Sequence, residues 1–192
     1  MRNATLNDKS AVVRILSQSF QDNKSVNYIV RQDERIVDRI RGLMEYSFHC
    51  CLDFGRVFIA EDGNACALVL FPDRKRTSLS SILRDLKLVF KVIGLGALLK
   101  VIRRESLIKR RYTASREVYY LWFIGVLPEW QGRGSGTQLI EEVLLEASRM
   151  NRPVYLETST ERNLSWYGGL GFELYDQLDL GYQLYFFRKR MH

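Results

Sequence analysis

Cysteine is scarce: three occur in 192 residues, and Cys50 and Cys51 are adjacent. An odd count with no export signal ahead of it argues against a disulfide framework and predicts a reducing, cytoplasmic setting. Histidine is scarcer still, with two residues. His49, Cys50 and Cys51 are consecutive, so on a helix they point in different directions, and no second Cys/His cluster exists to complete four ligands. Core packing is expected there, and no metal. Long apolar runs are also missing. The most apolar stretch, Val92 to Leu99, is closed by Lys91 and Lys100 and falls far short of the roughly 20 residues a bilayer span needs. No membrane span is expected. Residues Met1 to Lys9 lack the charged start, apolar run and small-residue cleavage site of a signal peptide, and read as mature protein. Repeats and linker-like boundaries are absent as well, which predicts one domain over residues 1–192.

A hydrophobic content of 46% and a charged content of 27% are those of a globular chain, and the length suffices to bury most apolar surface in one core. The formal net charge of +7 implies attraction to anions, whether nucleic acid, anionic lipid or a polyphosphate-bearing cofactor. Much of it sits in Arg74-Lys75-Arg76, in Lys100 to Arg111 and in Arg188-Lys189-Arg190, which read mainly as solvated faces and ends. No aromatic-basic recognition motif accompanies them, so no nucleic-acid partner is expected.

Apolar spacing predicts a very short first strand, then helices over Asp8 to Phe20 and Asp33 to Cys51. Two β-rich runs, Arg56 to Glu61 and Ala65 to Phe71, flank the turn Asp62-Gly63-Asn64 and predict an antiparallel hairpin. Residues 73–116 read as a helical insertion broken near Gly94 and Gly96. Within it Leu79, Ile82, Leu83, Leu86, Val89 and Phe90 share a helical face with basic residues between them. A lid packed over the core through that face is expected ahead of a membrane-surface helix. Glu117 to Val126 has the pattern of a central strand buried on both faces. An amphipathic helix ending near Asn151, a strand at Val154 to Thr158, a short helix through Trp166 and two final strands complete the chain.

Between the central strand and its following helix lies Gln131-Gly132-Arg133-Gly134-Ser135-Gly136. In a strand-loop-helix unit of this kind several backbone N–H groups converge on one anion: glycine permits close approach, and the helix N-terminus adds unpaired donors and about half a positive charge. Such geometry suits a pyrophosphate. A dinucleotide fingerprint fails at Thr137, no Gly-Lys-Ser/Thr occurs for a Walker loop, and a nucleophile elbow fails at Arg133 and Thr137. Ser135 is therefore not expected to be a nucleophile.

The loop does fit the Q/R-x-x-G-x-G/A signature, and with Asn163-Leu164-Ser165-Trp166-Tyr167 followed by Gly171-Phe172 the chain resembles the Gcn5-related N-acetyltransferase (GNAT) superfamily. The resemblance implies an α+β fold: a central, mostly antiparallel, twisted sheet whose fourth and fifth strands splay apart, flanked by helices. It further implies acetyl-CoA as co-substrate and an amine acceptor, and leaves a homodimer open. By the same resemblance Ile124, Gly125 and Val126 on a bulged strand meet the acyl carbonyl and pantetheine. Gln131, Gly132, Arg133, Gly134, Ser135, Gly136 and Thr137 hold the pyrophosphate, Asn163 contacts the pantetheine arm, and Tyr167 sits beside the sulfur.

A thiolate leaving group benefits from a proton, which Tyr167 can supply; the alternative is an aromatic that merely closes a short helix. An incoming ammonium must lose a proton, yet the central strand offers Trp122, Phe123 and Ile124 where some relatives carry a glutamate. Glu157, on the strand facing the splay, is the carboxylate best placed by position, with an ordinary strand-end or salt-bridged role equally open. A non-catalytic acyl-CoA-binding module is the alternative to an enzyme.

Overall fold

A computed structural model describes residues 1–112 and 117–191; the end of the expected insertion, residues 113–116, and the terminal His192 lie outside the described residues. A two-residue strand, β1 (Arg2–Asn3), precedes helix α1 (Lys9–Ser19), which buries Val12, Val13, Ile15 and Leu16 as its periodicity requires. A helix without a sequence-based expectation follows, α2 (Lys24–Ile29). It is too short to show a period, and its start is fixed by Asn23, whose side chain accepts from the Val26 N–H at 3.0 Å. Helix α3 (Ile36–Phe54) turns Ile40, Leu43, Met44 and Phe48 inward. It passes directly into β2 (Gly55–Ile59), because at Gly55 a Cβ would lie 1.9 Å from the Val69 carbonyl oxygen and only a bare α-carbon allows the approach. β2 pairs antiparallel with β3 (Ala65–Leu70), the hairpin expected.

The insertion forms two helices, α4 (Leu79–Leu88) and α5 (Leu98–Tyr112), separated by a π-helical turn at Val89–Ile93 and by Gly94 at a φ of 80°. The expected break is there; the expected lid is not. Leu79, Ile82, Leu83, Leu86 and Phe90 all face outward, Leu79 with 82% of its surface exposed. Helix α4 is held by its polar side instead, through an Arg84–Asp53 ion pair and a 2.7 Å hydrogen bond donated by the Tyr46 hydroxyl to Asp85. Helix α5 turns Val101, Arg104 and Ile108 inward.

After α5 come β4 (Tyr119–Val126), α6 (Ser135–Arg149), β5 (Val154–Thr158), α7 (Asn163–Gly169), β6 (Glu173–Asp179) and β7 (Gln183–Lys189). Among the described residues the strands form one seven-stranded sheet in the order β1-β2-β3-β4-β5-β7-β6, antiparallel throughout except for β4 beside β5. The fold is mixed α+β. Helices α1 and α3 cover one face around Phe48, Leu68 and Tyr120, and α6 and α7 cover the other around Tyr119, Leu139 and Phe187. Phe186 packs with Ile108 of α5 whereas Phe187 packs with α6. Successive strand residues point to opposite faces, so α5 lies on the α1/α3 side.

Two irregularities in the sheet create the site. Leu68 of β3 faces Phe123 while Val69 faces Leu121, which leaves Trp122 as the extra residue of a bulge in β4. Pairing between β4 and β5 consists of Tyr119 with Val154 and Tyr120 with Tyr155. Beyond Tyr120 the two strands part.

Candidate active site

The splay opens a cleft of about 850 Å³ walled by Leu121 to Val126 on one side and Leu156 to Thr160 on the other, with α2, α5, the start of α6 and α7 contributing the rest. Every site residue expected from the sequence lines this cleft except Arg133. Arg133 is exposed and lies over the Trp130 ring, 4.8 Å from its centroid.

At one end is the glycine loop. Gly132 and Gly134 have φ values of 76° and 88°, and no protein atom lies within 4 Å of where a Cβ would stand on either. Left-handed backbone and an open approach are the two properties that only glycine combines. Gly134 caps α6, whose first-turn N–H groups at Ser135, Gly136 and Thr137 have no intrahelical acceptors. The loop is tied to the strand end. Gln131 donates from its side-chain amide to the Val126 carbonyl oxygen at 3.1 Å, and the Ser19 hydroxyl lies 2.8 Å from the same oxygen. Gly125 has a different reason for being glycine: a Cβ would meet Leu16 and the Ser19 hydroxyl at 3.0 Å, so its bare α-carbon serves the close packing of α1.

Helix α7 forms the opposite bank. Asn163 opens it, and Tyr167 follows one turn later on the same side. Tyr167 is buried among Trp166, Phe172 and Phe187, with ring centroids 4.8, 5.6 and 5.4 Å away. Burial pushes its hydroxyl well above the ordinary tyrosine range, and the charge of Glu157 pushes the same way. Trp166 is fixed in turn by donating from its indole N–H to the Thr137 hydroxyl at 3.1 Å, which ties α7 to the first turn of α6.

Glu157 stands where β5 diverges from β4. The Tyr120 hydroxyl donates to its Oε1 at 2.6 Å. Although it borders the cleft, its carboxyl is packed round by protein, and desolvation raises it to about 7. The positive charge of Arg104 and the Tyr120 hydrogen bond oppose that rise.

Arg104, Ser25 and Tyr182 had no place in the sequence reading. Arg104 is buried, pairs with Glu105, donates to the Ser25 hydroxyl, and donates from Nε to the Tyr182 hydroxyl at 3.1 Å. It was one cation in a basic run. The signal that singles it out is its spacing, three residues after Val101 and four before Ile108, on the inward stripe of α5.

Residues 88–174 match the family model of the acetyltransferase (GNAT) domain. That span runs from the end of α4 through β4, the glycine loop and α7 to the start of β6, and so holds most of the cleft. Solved structures extend the likeness to the whole chain. One from Corynebacterium glutamicum, described as histone acetyltransferase HPA2 and related acetyltransferase, superimposes with a TM-score of 0.75 at 18% identity, covering 100% of this chain and 95% of the other. The C-terminal condensation domain of Ebony, solved with beta-alanyl-dopamine, gives 0.74 at 9% identity over 99% of this chain and 97% of that domain. Arylalkylamine N-acetyltransferase 2 from Aedes aegypti gives 0.64 at 16% identity, with 100% and 98% covered. At these identities the agreement is one of fold, and the fold is that of the GNAT acetyltransferases.

Proposed function

We propose that this chain is an N-acetyltransferase that moves an acetyl group from acetyl-CoA to a primary amine of a small molecule or peptide. The observation that carries the reading is the cleft itself: the open glycine loop, the outer half of β4 where it no longer pairs with β5, Tyr167 and Glu157 all border one cavity. The left-handed, unobstructed Gly132 and Gly134 and the start of α6 fit the pyrophosphate of acetyl-CoA, and Ile124, Val126 and Asn163 border the path its pantetheine would take. When bound, acetyl-CoA supplies a thioester open to attack by a neutral amine, with the CoA thiolate leaving.

The protein's part is to move two protons and hold the reactants. Glu157 accepts the proton that the acceptor ammonium must lose, which a carboxyl titrating near 7 does at neutral pH. Tyr167, kept protonated by burial, donates to the departing sulfur and is restored by way of solvent with the second proton, which the nitrogen releases as it becomes an amide. An enclosed, hydrogen-bonded carboxylate in the cleft favours this reading over a non-catalytic acyl-CoA-binding module. The whole chain is read as a single acyltransferase domain with α4 and α5 as its insertion, working in a cytoplasmic setting. Among the described residues no helix is long and apolar enough to cross a membrane.

The test is free CoA release from acetyl-CoA across a panel of polyamines, arylalkylamines, aminoglycosides, amino acids and peptides. Turnover with one amine class is the expected result. A thermal midpoint unmoved by millimolar acetyl-CoA would remove the co-substrate assignment and the reading with it.

A further inference from the structure

We propose that the outer face of α4 and α5 docks the protein onto an anionic membrane surface. Eight of the thirteen large hydrophobic side chains exposed among the described residues fall between Leu79 and Ile102. On α4 they recur at Leu79, Ile82, Leu83 and Leu86, and Phe90 continues the stripe one turn on. Leu99 and Ile102 repeat the pattern on α5. A monomer rarely exposes an apolar stripe like that of α4 without a use for it. The fold does not need the face, because α4 is anchored by Arg84, Asp85 and the buried Ser81 on its other side.

The charge around the face selects the occupant. From Arg74 to Tyr112 the chain carries twelve arginines and lysines against two carboxylates, whereas the whole chain carries 29 against 22. The excess positive charge is therefore concentrated in this segment, and the remainder is net acidic. Both carboxylates are engaged, Asp85 by Tyr46 and Glu105 by Arg104. Of the cations, Arg84 pairs with Asp53, Arg111 pairs with Asp176 and Arg104 is buried, so the remaining arginines and lysines carry the excess. Lys87 and Lys91 are exposed beside the apolar stripe. Aliphatic anchors flanked by exposed cations are the composition of a helix lying in the plane of an anionic headgroup layer, with apolar side chains reaching the acyl boundary. A second copy of the chain would set one basic segment against another. Nucleic acid would find the charge but, apart from Phe90, no aromatic ring to stack on.

Helix α5 thus has two faces with separate uses, Arg104 in the cleft wall and Leu99 with Ile102 outside. Docking does not depend on what the cleft catalyses.

The experiment is co-sedimentation of the full chain with vesicles of phosphatidylcholine alone and of phosphatidylcholine mixed with phosphatidylglycerol. Binding to the mixed vesicles, weakened by salt, is expected. Leu79→Glu, Leu83→Glu and Leu99→Glu alter exposed side chains, so the combined variant should keep its thermal midpoint and its response to acetyl-CoA while binding weakens about tenfold per leucine replaced. Lys87→Glu with Lys91→Glu should weaken binding at low salt, and decides the matter should the leucine variant fail to fold. No binding to mixed vesicles at low salt overturns the proposal. So does binding that survives both sets of changes, a dimer in solution that the leucine variant dissociates, or a preference for RNA over vesicles.

Discussion

The Tyr120 hydroxyl donates a 2.6 Å hydrogen bond to Oε1 of Glu157, spanning β4 and β5 at the point where their backbones stop pairing. The bond lies at the closed end of the splay. A carboxyl that would otherwise be stranded by desolvation keeps one partner there, and its ionised form is favoured by that bond and by Arg104, though not enough to undo burial. A carboxyl poised near neutrality is the outcome.

The rate should accordingly follow the ionisation of Glu157. If Glu157 is the base, as proposed, turnover rises with pH through about 7, where its carboxylate form becomes available to accept the acceptor's proton. Tyr120→Phe removes an interaction that lowers this value, so the rising limb should move to higher pH. Glu157→Gln should remove the limb and lower kcat/KM by about 10²- to 10⁴-fold. Stability carries the opposite sign. The unfolded chain gives up this proton near the ordinary value of 4.5 and the folded chain near 7, so this group's contribution falls as pH rises between the two and is flat above. Rate profiles and thermal midpoints across that window check both halves, and a rate profile unchanged by Glu157→Gln would assign the base elsewhere.

The glycine loop makes a separate prediction. Gly134→Val places a β-branched residue at a φ of 88°, where the left-handed backbone alone costs about 1–2 kcal/mol, and puts its side chain into the open approach of the loop. No neighbour is displaced, so circular dichroism should stay native. The stabilisation by acetyl-CoA, about 2.7 kcal/mol at 100 Kd, should disappear. Gly136→Ala is expected to be milder, since its Cβ would sit 3.4 Å from Val126 Cγ2. Unaltered affinity in a folded Gly134→Val would place the phosphate site elsewhere.

Periodic features were legible in the sequence and cross-strand ones were not. Val12 to Leu16 and Leu139 to Ala147 announce buried helix faces by spacing alone, and the glycine loop announces the turn before α6. Helix α2 spans six residues, too few for a period, so the Ser25 it brings to the cleft went unseen. The bond between Tyr120 and Glu157 joins residues 37 apart, and the Arg104 bond to Ser25 joins residues 79 apart. Neither has a local signature. The lid expectation failed for a related reason. An amphipathic stripe shows that a helix has an apolar face but not which way the face points, and α4 is held by its polar side.

Gly55→Ala should destabilise the fold. The added Cβ would stand 1.9 Å from the Val69 carbonyl oxygen and 3.0 Å from the α-carbon of Leu70. Both are backbone atoms of the paired strand, which cannot swing aside as a side chain does. A loss of about 3 kcal/mol is expected, the upper part of the usual overpacking range. Denaturant titration would measure it. A variant as stable as the parent would mean that β2 and β3 can separate at this end without cost.

Tyr167→Phe separates chemistry from packing. The ring sits among Trp166, Phe172 and Phe187, and phenylalanine keeps all three contacts while losing only the hydroxyl. Stability and acetyl-CoA affinity should therefore change little. Burial holds the hydroxyl protonated far above neutral pH, so at any working pH it has a proton to give to a leaving thiolate. Its loss should lower kcat by about 10²- to 10⁴-fold, the range of general acid catalysis, with KM for acetyl-CoA nearly constant. The rising limb set by Glu157 should stay near pH 7, because the base is untouched. Steady-state kinetics at saturating acetyl-CoA with the best amine of the panel would decide it. A parental rate would leave Tyr167 as packing beneath α7 and require another donor, or water, to protonate the sulfur.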